Sequence, residues 1–190
     1  MLMAPSAASG RLTSYHGRDK SGHDRCWTRR FRLLPCWDNL KANRQHSMLS
    51  GLLALATAAI FAGAALYVNV AEHPARMHLD DRSLLVQWKP AYARGAIMQA
   101  SLAIVGFLFG LLAWWQSGHW LWLAGAAAMI APWPWTLFVI MPLNNRLKAM
   151  EPAHDGPMSR PLLQLWSQLH AVRTAFGFLA TLLYLAASLR

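Results

Sequence analysis

Four long apolar segments dominate the pattern of hydrophobic and polar positions along the chain. The first, residues 48–71, contains no formally charged residue, and the other three are residues 95–115, 120–141 and 162–189. An α-helix rises about 1.5 Å per residue, so roughly 20 apolar residues are enough to cross the hydrocarbon core of a bilayer. The pattern therefore predicts an all-α fold, an integral membrane bundle of four helices that run up and down with short connections.

The composition agrees with a membrane protein. Of the 190 residues, 55% are hydrophobic and only 14% are charged, whereas a soluble globular domain carries about 25% charged residues. We therefore expect the chain to be surrounded by membrane lipid, in the bacterial inner (plasma) membrane. A transporter is a less favoured class, because four short helices show little sign of paired repeats.

The net charge of +10 is concentrated at the N-terminus. Nine of the 18 lysine and arginine residues lie in residues 1–47, which lack apolar periodicity and which we predict to be a basic, disordered leader. The other basic residues lie near the ends of the apolar segments, where they set topology. We therefore expect no nucleic acid among the partners.

The position of Met48 leaves two alternatives open. It stands directly before the first apolar segment, so residues 1–47 are either a natural leader or an overextended start. With the leader, the positive-inside rule places the N-terminus in the cytoplasm. Without it, the two most basic loops become cytoplasmic; these carry Arg76, Arg82 and Lys89, and Arg146, Lys148 and Arg160.

Polar and aromatic residues are concentrated at one end of the predicted bundle. In an up-down bundle the end of the first span, the start of the second, the end of the third and the start of the fourth lie at the same membrane face. This asymmetry predicts a polar pocket with aromatic walls, the usual form of a small-molecule site. The residues concerned are Asn69, Glu72, His73 and Arg76; Trp88, Tyr92 and Arg94; Asn144, Asn145 and Arg146; and Trp166, His170 and Arg173.

Arg173 is the most deeply placed of these residues. It is followed by only 17 residues, which is about 25 Å of helix, so it lies inside or near the far edge of a hydrocarbon core of about 30 Å. An arginine at that depth is expected to pair with an acid, and we predict Glu72 as its partner. Two interpretations stay open: a buried ion pair that fixes helix register, or a catalytic or ligand-binding site.

Metal or haem ligation is the least favoured interpretation of this cluster. His73 and His170 lack the closely spaced ligand pairs that metal sites often have. Cys26 and Cys36 have a spacing that matches no metal or redox motif. We therefore expect no metal site.

Three segments resemble the anthrone oxygenase-like family of small four-helix membrane proteins, and together they cover roughly residues 48–189 without the leader. Their motifs are Glu72-His73-Pro74, Pro142 with the asparagines that follow it, and the set Trp166, His170 and Arg173. The chain departs from the family at Trp135, where tyrosine is usual, and at Leu143, where threonine is frequent. The segments read GAALYVNVAEHPAR, WPWTLFVIMPLNNRLKAM and LLQLWSQLHAVRTAFGFLA.

The resemblance implies a reaction in which anthrones are oxidised to anthraquinones by molecular oxygen, with no evident cofactor. Such chemistry needs a base for a carbon-bound proton and cations or amides for the resulting enolate. The candidate catalytic residues are His73, His170, Arg173 and Glu72. The candidate substrate-binding residues are Asn69, Trp88, Tyr92, Arg94, Asn144, Asn145 and Trp166.

A different class of function remains as the alternative. The same bundle fits a non-catalytic membrane binding or accessory protein in which the polar cluster is a structural ion-pair network, because fold analogy does not establish chemistry. The pairing of Glu72 and Arg173 discriminates between the two. A closed pair favours structure, and two side chains that point separately into a cavity favour a site.

Overall fold

All regular structure in the described residues is helical. The computed structural model describes residues 34–153 and 156–190, with side chains for residues 48–153 and 158–190. One compact unit runs from Leu40 to Arg190. The helical segments of the described residues are α1 (Leu34–Tyr67), the π-helix π1 (Val68–Glu72), α2 (His73–Arg76), α3 (Asp81–Ser117), α4 (Trp120–Ile130), α5 (Pro132–Trp135), the π-helix π2 (Thr136–Ile140), α6 (Met141–Ala149) and α7 (Gly156–Ser188).

These segments form four continuous helical spans that are long and apolar enough to cross a membrane. The first span is Met48–Arg76, the second Asp81–Ser117, the third Trp120–Ala149 and the fourth Met158–Ser188. Large apolar side chains such as Ile97 and Leu182 face outward on them, as expected where lipid rather than water surrounds the protein. The predicted all-α four-helix membrane bundle is confirmed, and the chain is an integral membrane protein.

The helices extend beyond the apolar segments that predict them. The helix α1 begins at Leu34, inside the segment predicted to be a disordered leader, and the leader prediction for residues 1–33 lies outside the described residues. The second span begins at Asp81 rather than at residue 95. Hydropathy marks the part of a helix that lies in lipid, but it does not mark where the backbone hydrogen bonds end.

Local chemistry accounts for the early start of α3. The Asp80 carboxylate accepts hydrogen bonds from the backbone N–H groups of Arg82 and Ser83, which is an N-cap. Hydrogen bonds from Ser83 hold the pKa of Asp80 below its usual value. The following turns bury Leu84 and Trp88, four residues apart on one helix face. The polar start of α3 is therefore an amphipathic extension of the membrane helix.

A π-helix precedes a proline in both the first and the third span. The N–H of His73 bonds to the carbonyl of Val68, and the N–H of Met141 bonds to the carbonyl of Thr136, five residues back in each case. The next residue is Pro74 or Pro142, whose ring lacks an N–H and clashes with the carbonyl four residues earlier. A wider turn before each proline relieves that clash. Short π-helical segments of this kind occur frequently at functional sites.

One end of the bundle is filled by the ring of Tyr184. This side chain is fully buried, its ring centroid lies 5.6 Å from that of Trp122, and its hydroxyl donates to the backbone carbonyl of Gly106. Gly110 and Gly125 face the ring, and an added Cβ at Gly125 would lie 2.5 Å from it. We call this region the packed end. Its close packing fixes the second, third and fourth spans against one another.

Candidate functional site

A cavity of about 260 Å³ lies at the opposite end of the bundle, and all four spans contribute to its wall. We call this region the cavity end. Seven of the eleven candidate residues named from the sequence line the cavity: Glu72, Trp88, Tyr92, Asn144, Trp166, His170 and Arg173. The structure therefore brings together side chains that lie up to a hundred residues apart in the chain.

Four rings form a continuous aromatic wall. Tyr92 stacks on Trp88 with 4.9 Å between ring centroids and 14° between ring planes. Trp88 meets Trp166 edge to face at 5.9 Å, and Trp166 stacks on His170 at 5.0 Å. Each stacked pair is spaced i, i+4, so the helices place the rings one above the other. Trp88 and Trp166 join the second and fourth spans.

Asn144 fixes the rings in this wall. Its side chain is fully buried, its Oδ1 accepts from Trp166 Nε1 at 2.9 Å, and its Nδ2 donates to the hydroxyl oxygen of Tyr92 at 3.1 Å. The amide therefore ties the third span to the second and the fourth. Its oxygen and one of its amino hydrogens are already in use, so Asn144 acts mainly as a positioning residue.

The tautomer of His170 follows from its neighbours. Asn69 Nδ2 donates to the carbonyl of Ser167 at 3.0 Å, and a carbonyl can only accept, so the Oδ1 of Asn69 is the atom that faces His170. That Oδ1 accepts from Thr174 Oγ1 at 2.8 Å and lies 3.0 Å from His170 Nδ1. Neutral His170 therefore carries its proton on Nδ1. Its Nε2 keeps a lone pair and has no hydrogen-bond partner among the described residues.

Arg173 does not pair with Glu72, so that prediction is wrong. Its Nη1 donates to Thr136 Oγ1 at 3.1 Å, and its Nε is buried without a hydrogen-bond partner. Glu72 instead forms an ion pair with Arg76, which follows it by four residues on the same helix face. Arg76 also donates to Gln87. Arg173 thus lines the cavity with no carboxylate partner among the described residues.

Four candidate residues lie away from the cavity wall. Asn69 stands behind His170, and His73 is buried with its Nδ1 unpaired. Arg94 and Asn145 are exposed. Arg94 follows Tyr92 by two residues, and Asn145 follows Asn144 by one, so on a helix they point about 200° and 100° away from those neighbours.

Two polar wall residues, Arg76 and Gln99, have no role in the candidate set, although Arg76 is among the polar residues that the sequence places at this end. Gln99 was visible in the sequence as a polar residue inside an apolar segment, seven positions after Tyr92 and hence on the same helix face. The described residues contain no group of three or more His, Cys, Asp or Glu side chains that could hold a metal ion.

These features define the class of the protein: a small helical membrane protein whose bundle carries a polar, aromatic-walled cavity at one end. A family model described as "Anthrone oxygenase" matches residues 88–183, half of the chain. The chain therefore belongs to the anthrone oxygenase family. No curated protein and no solved structure matches it. The matched segment includes Asn144, His170 and Arg173, whereas Asn69 and Glu72 precede it.

Proposed function

We propose that this protein binds a flat aromatic ketone in the cavity and oxidises anthrone-like substrates to anthraquinones with molecular oxygen. The observation that carries the proposal is the pair formed by His170 and Arg173 in one wall: an imidazole with a free Nε2 and a guanidinium without a carboxylate partner. A base and an unmatched positive charge beside the same cavity suit a reaction that creates an anion.

The size and the walls of the cavity suit a flat polycyclic ligand. Its volume of about 260 Å³ lies close to the lower limit of ligand pockets, which begin at about 300 Å³. Trp88, Tyr92 and Trp166 offer ring faces and edges for stacking, each such contact contributing about 0.5–1.5 kcal/mol beyond its buried area. A compact molecule of a few fused rings therefore matches the space.

In the proposed first step, His170 Nε2 removes a proton from the methylene carbon opposite the ketone of the anthrone. Loss of that proton makes the central ring aromatic and moves the negative charge onto the ketone oxygen. The Arg173 guanidinium would stabilise this enolate oxygen, because a fixed charge acts strongly where water is excluded. The Nδ1–H bond to Asn69 holds the imidazole in the tautomer that the step requires.

The second step consumes molecular oxygen. The enolate carbon forms a C–O bond to O₂ and, after protonation, becomes a hydroperoxide. Loss of water then breaks the O–O bond and the remaining C–H bond and leaves the second carbonyl. One anthrone and one O₂ thus give one anthraquinone and one water: the carbon is oxidised by four electrons, and both oxygen atoms are reduced.

The other candidate catalytic residues fit this scheme less well. His73 does not line the cavity, and the Glu72 carboxylate is held by Arg76. We therefore assign the base to His170 and leave Glu72 the role of compensating the charge of Arg76.

The test is oxygen uptake by the purified full-length protein in detergent, measured together with quinone absorbance and with no cofactor added. We expect one O₂ per quinone, a loss of about 100-fold or more in His170→Gln, and a comparable loss in Arg173→Gln. His119→Gln changes a histidine at the packed end and should leave the rate unchanged. Wild-type rates no higher than those of empty detergent would refute the proposal.

The second candidate function is a non-catalytic membrane binding or accessory protein. The bonds of Asn69 to Ser167, His170 and Thr174 favour it, because they fasten the first span to the fourth as a structural network would. If wild-type protein binds anthrone without turnover, and His170→Gln lowers the free energy of unfolding, this second function replaces the first.

We also propose the inner membrane of a bacterium as the location. The four apolar helices support this, because proteins of the bacterial outer membrane are β-barrels. Separation of the two membranes of a bacterial host that makes the protein, followed by detection of the chain, tests it.

A further inference from the structure

Gln99 is a buried polar side chain of the cavity wall that the proposed reaction does not use. It is only 3% exposed and lines the cavity. Neither its amide oxygen nor its amide nitrogen has a hydrogen-bond partner among the described residues. Buried amides are nearly always hydrogen-bonded, so an unpaired amide at the wall of a cavity points to a ligand group as its partner.

The cavity-lining residues next to Gln99 on α3 are apolar. Gln99 lies two turns beyond Tyr92, about 10 Å along the axis of α3, and the residues close to it in the sequence that also line the cavity are Gly95, Ala96 and Met98. Gln99 belongs to the apolar segment 95–115, and Ile97, two residues before it, is 71% exposed on the outer surface, as expected of a turn surrounded by lipid. A polar side chain at that depth that faces a cavity marks a functional position.

We propose that Gln99 is a specificity-determining residue that hydrogen-bonds an oxygen atom of the bound aromatic molecule other than the one held by Arg173. This inference rests on the proposed function, because it takes the same class of ligand. An amide both donates and accepts, so Gln99 serves a carbonyl or a phenolic hydroxyl equally. A ligand with a single oxygen leaves the buried amide unpaired, and the site discriminates against it.

The test compares ligands that differ in oxygen content. Quenching of tryptophan fluorescence, which the wall residues Trp88 and Trp166 make sensitive to binding, gives Kd for the full-length protein in detergent under argon. The ligands are anthrone, with one oxygen, and anthraquinone and its monohydroxy derivatives, with two or three. The variants are Gln99→Leu, the near-isosteric Gln99→Met, and Gln116→Leu, the same exchange near the far end of the same helix.

We expect Gln99→Leu and Gln99→Met to weaken at least one of the oxygen-rich ligands about tenfold, the effect of one hydrogen bond, and to leave anthrone within about twofold. Gln116→Leu should bind every ligand as the wild type does. Equal factors for all ligands, or no change for any, would overturn the inference while aromatic binding stood. If the wild-type protein binds none of them, the inference falls together with the proposed function.

Discussion

The two ends of the bundle are built from similar residues, but one end is closely packed and the other encloses a cavity. At the packed end, the ring of Tyr184 fills the space that Gly110 and Gly125 leave, and its hydroxyl donates to the carbonyl of Gly106. At the cavity end, small residues are again part of the wall, but an added Cβ at Gly95 would meet no atom within 4 Å. Aromatic and small residues together therefore do not decide between packing and a pocket. The deciding factor is whether an aromatic ring faces the small residues and fills the space beside them.

The two ends differ more clearly in whether their buried polar groups have hydrogen-bond partners. The Tyr184 hydroxyl and the Ser50 hydroxyl at the packed end are both hydrogen-bonded. Among the described residues, four side-chain nitrogens are buried completely and lack a partner, and all four belong to residues at the cavity end: His73 Nδ1, Arg76 Nη1, Trp88 Nε1 and Arg173 Nε. Each such group costs about 1–3 kcal/mol. The packed end therefore has its buried polar groups satisfied, whereas the cavity end bears the cost of several unsatisfied ones.

The largest expected effect on stability concerns the charge balance of the cavity end. Glu72→Gln removes the carboxylate partner of Arg76, whose side chain is almost fully buried. We expect the free energy of unfolding to fall by about 3 kcal/mol or more, the usual cost of leaving a buried charge uncompensated. Unfolding in mixed detergent micelles measures it.

The control for that change is a partly exposed ion pair at the same membrane face. Arg160 and Asp81 form a salt bridge with about a third of each side chain exposed, so Asp81→Asn should cost no more than about 1 kcal/mol. Equal costs for the two variants would mean that Arg76 is not held in a desolvated site.

The next effect tests the close packing around Tyr184. Gly125→Ala puts a methyl group against the ring and should cost about 1–3 kcal/mol through overpacking. The matched change at the cavity end, Gly95→Ala, meets open space and should be neutral or slightly stabilising, because alanine favours a helix by up to about 1 kcal/mol. Thermal unfolding of both variants measures the two changes in stability. A loss of stability in Gly95→Ala equal to that in Gly125→Ala would remove the distinction between the ends.

A smaller effect comes from the polar contact of the packed end. Tyr184→Phe keeps the ring and removes the hydrogen bond to the carbonyl of Gly106. We expect a loss of about 0.5–1.5 kcal/mol and unchanged binding of aromatic ligands, because Tyr184 lies outside the cavity wall. Ligand affinity that changes together with stability would show that the two ends are coupled.

The smallest effect is a dependence of stability on pH. The folded state holds the pKa of Asp80 below its usual value of 3.8 through hydrogen bonds from Ser83. A depressed pKa contributes stability above the unfolded value, and that stability is lost as the pH falls through the folded pKa. Wild-type protein should therefore lose slightly more stability than Asp80→Asn between pH 5 and pH 3. Parallel pH profiles for the two proteins would contradict this role of the cap.

The sequence predicts the number of spans, and it predicts which end of the bundle collects polar residues, because both depend on hydropathy and on up-down connectivity. It does not predict partners within that end. Depth alone pairs Arg173 with Glu72, whereas Arg76 lies one turn from Glu72 and takes its carboxylate. Asn145 is a candidate because it is next to Asn144 in the sequence, but its side chain is exposed and points away from the wall that Asn144 joins.

Two features of the cavity end, its π-helices and the position of Gln99, have a signal in the sequence. Pro74 and Pro142 mark the positions that the π-helices precede, although proline alone does not say whether a helix kinks or widens. Gln99 has the two-turn spacing from Tyr92 that places both on one face. Both signals become specific only when the facing helices are known.

The most direct test of the central claim, that His170 is a base beside an aromatic-binding cavity, is hydrogen exchange without oxygen. Anthrone is incubated under argon in deuterated buffer with the full-length protein, and exchange at its methylene carbon is followed by NMR. We predict exchange well above the detergent background, reduced about 100-fold or more in His170→Gln and unaffected in His119→Gln. Exchange no faster than background, or equally fast without His170, would contradict the account.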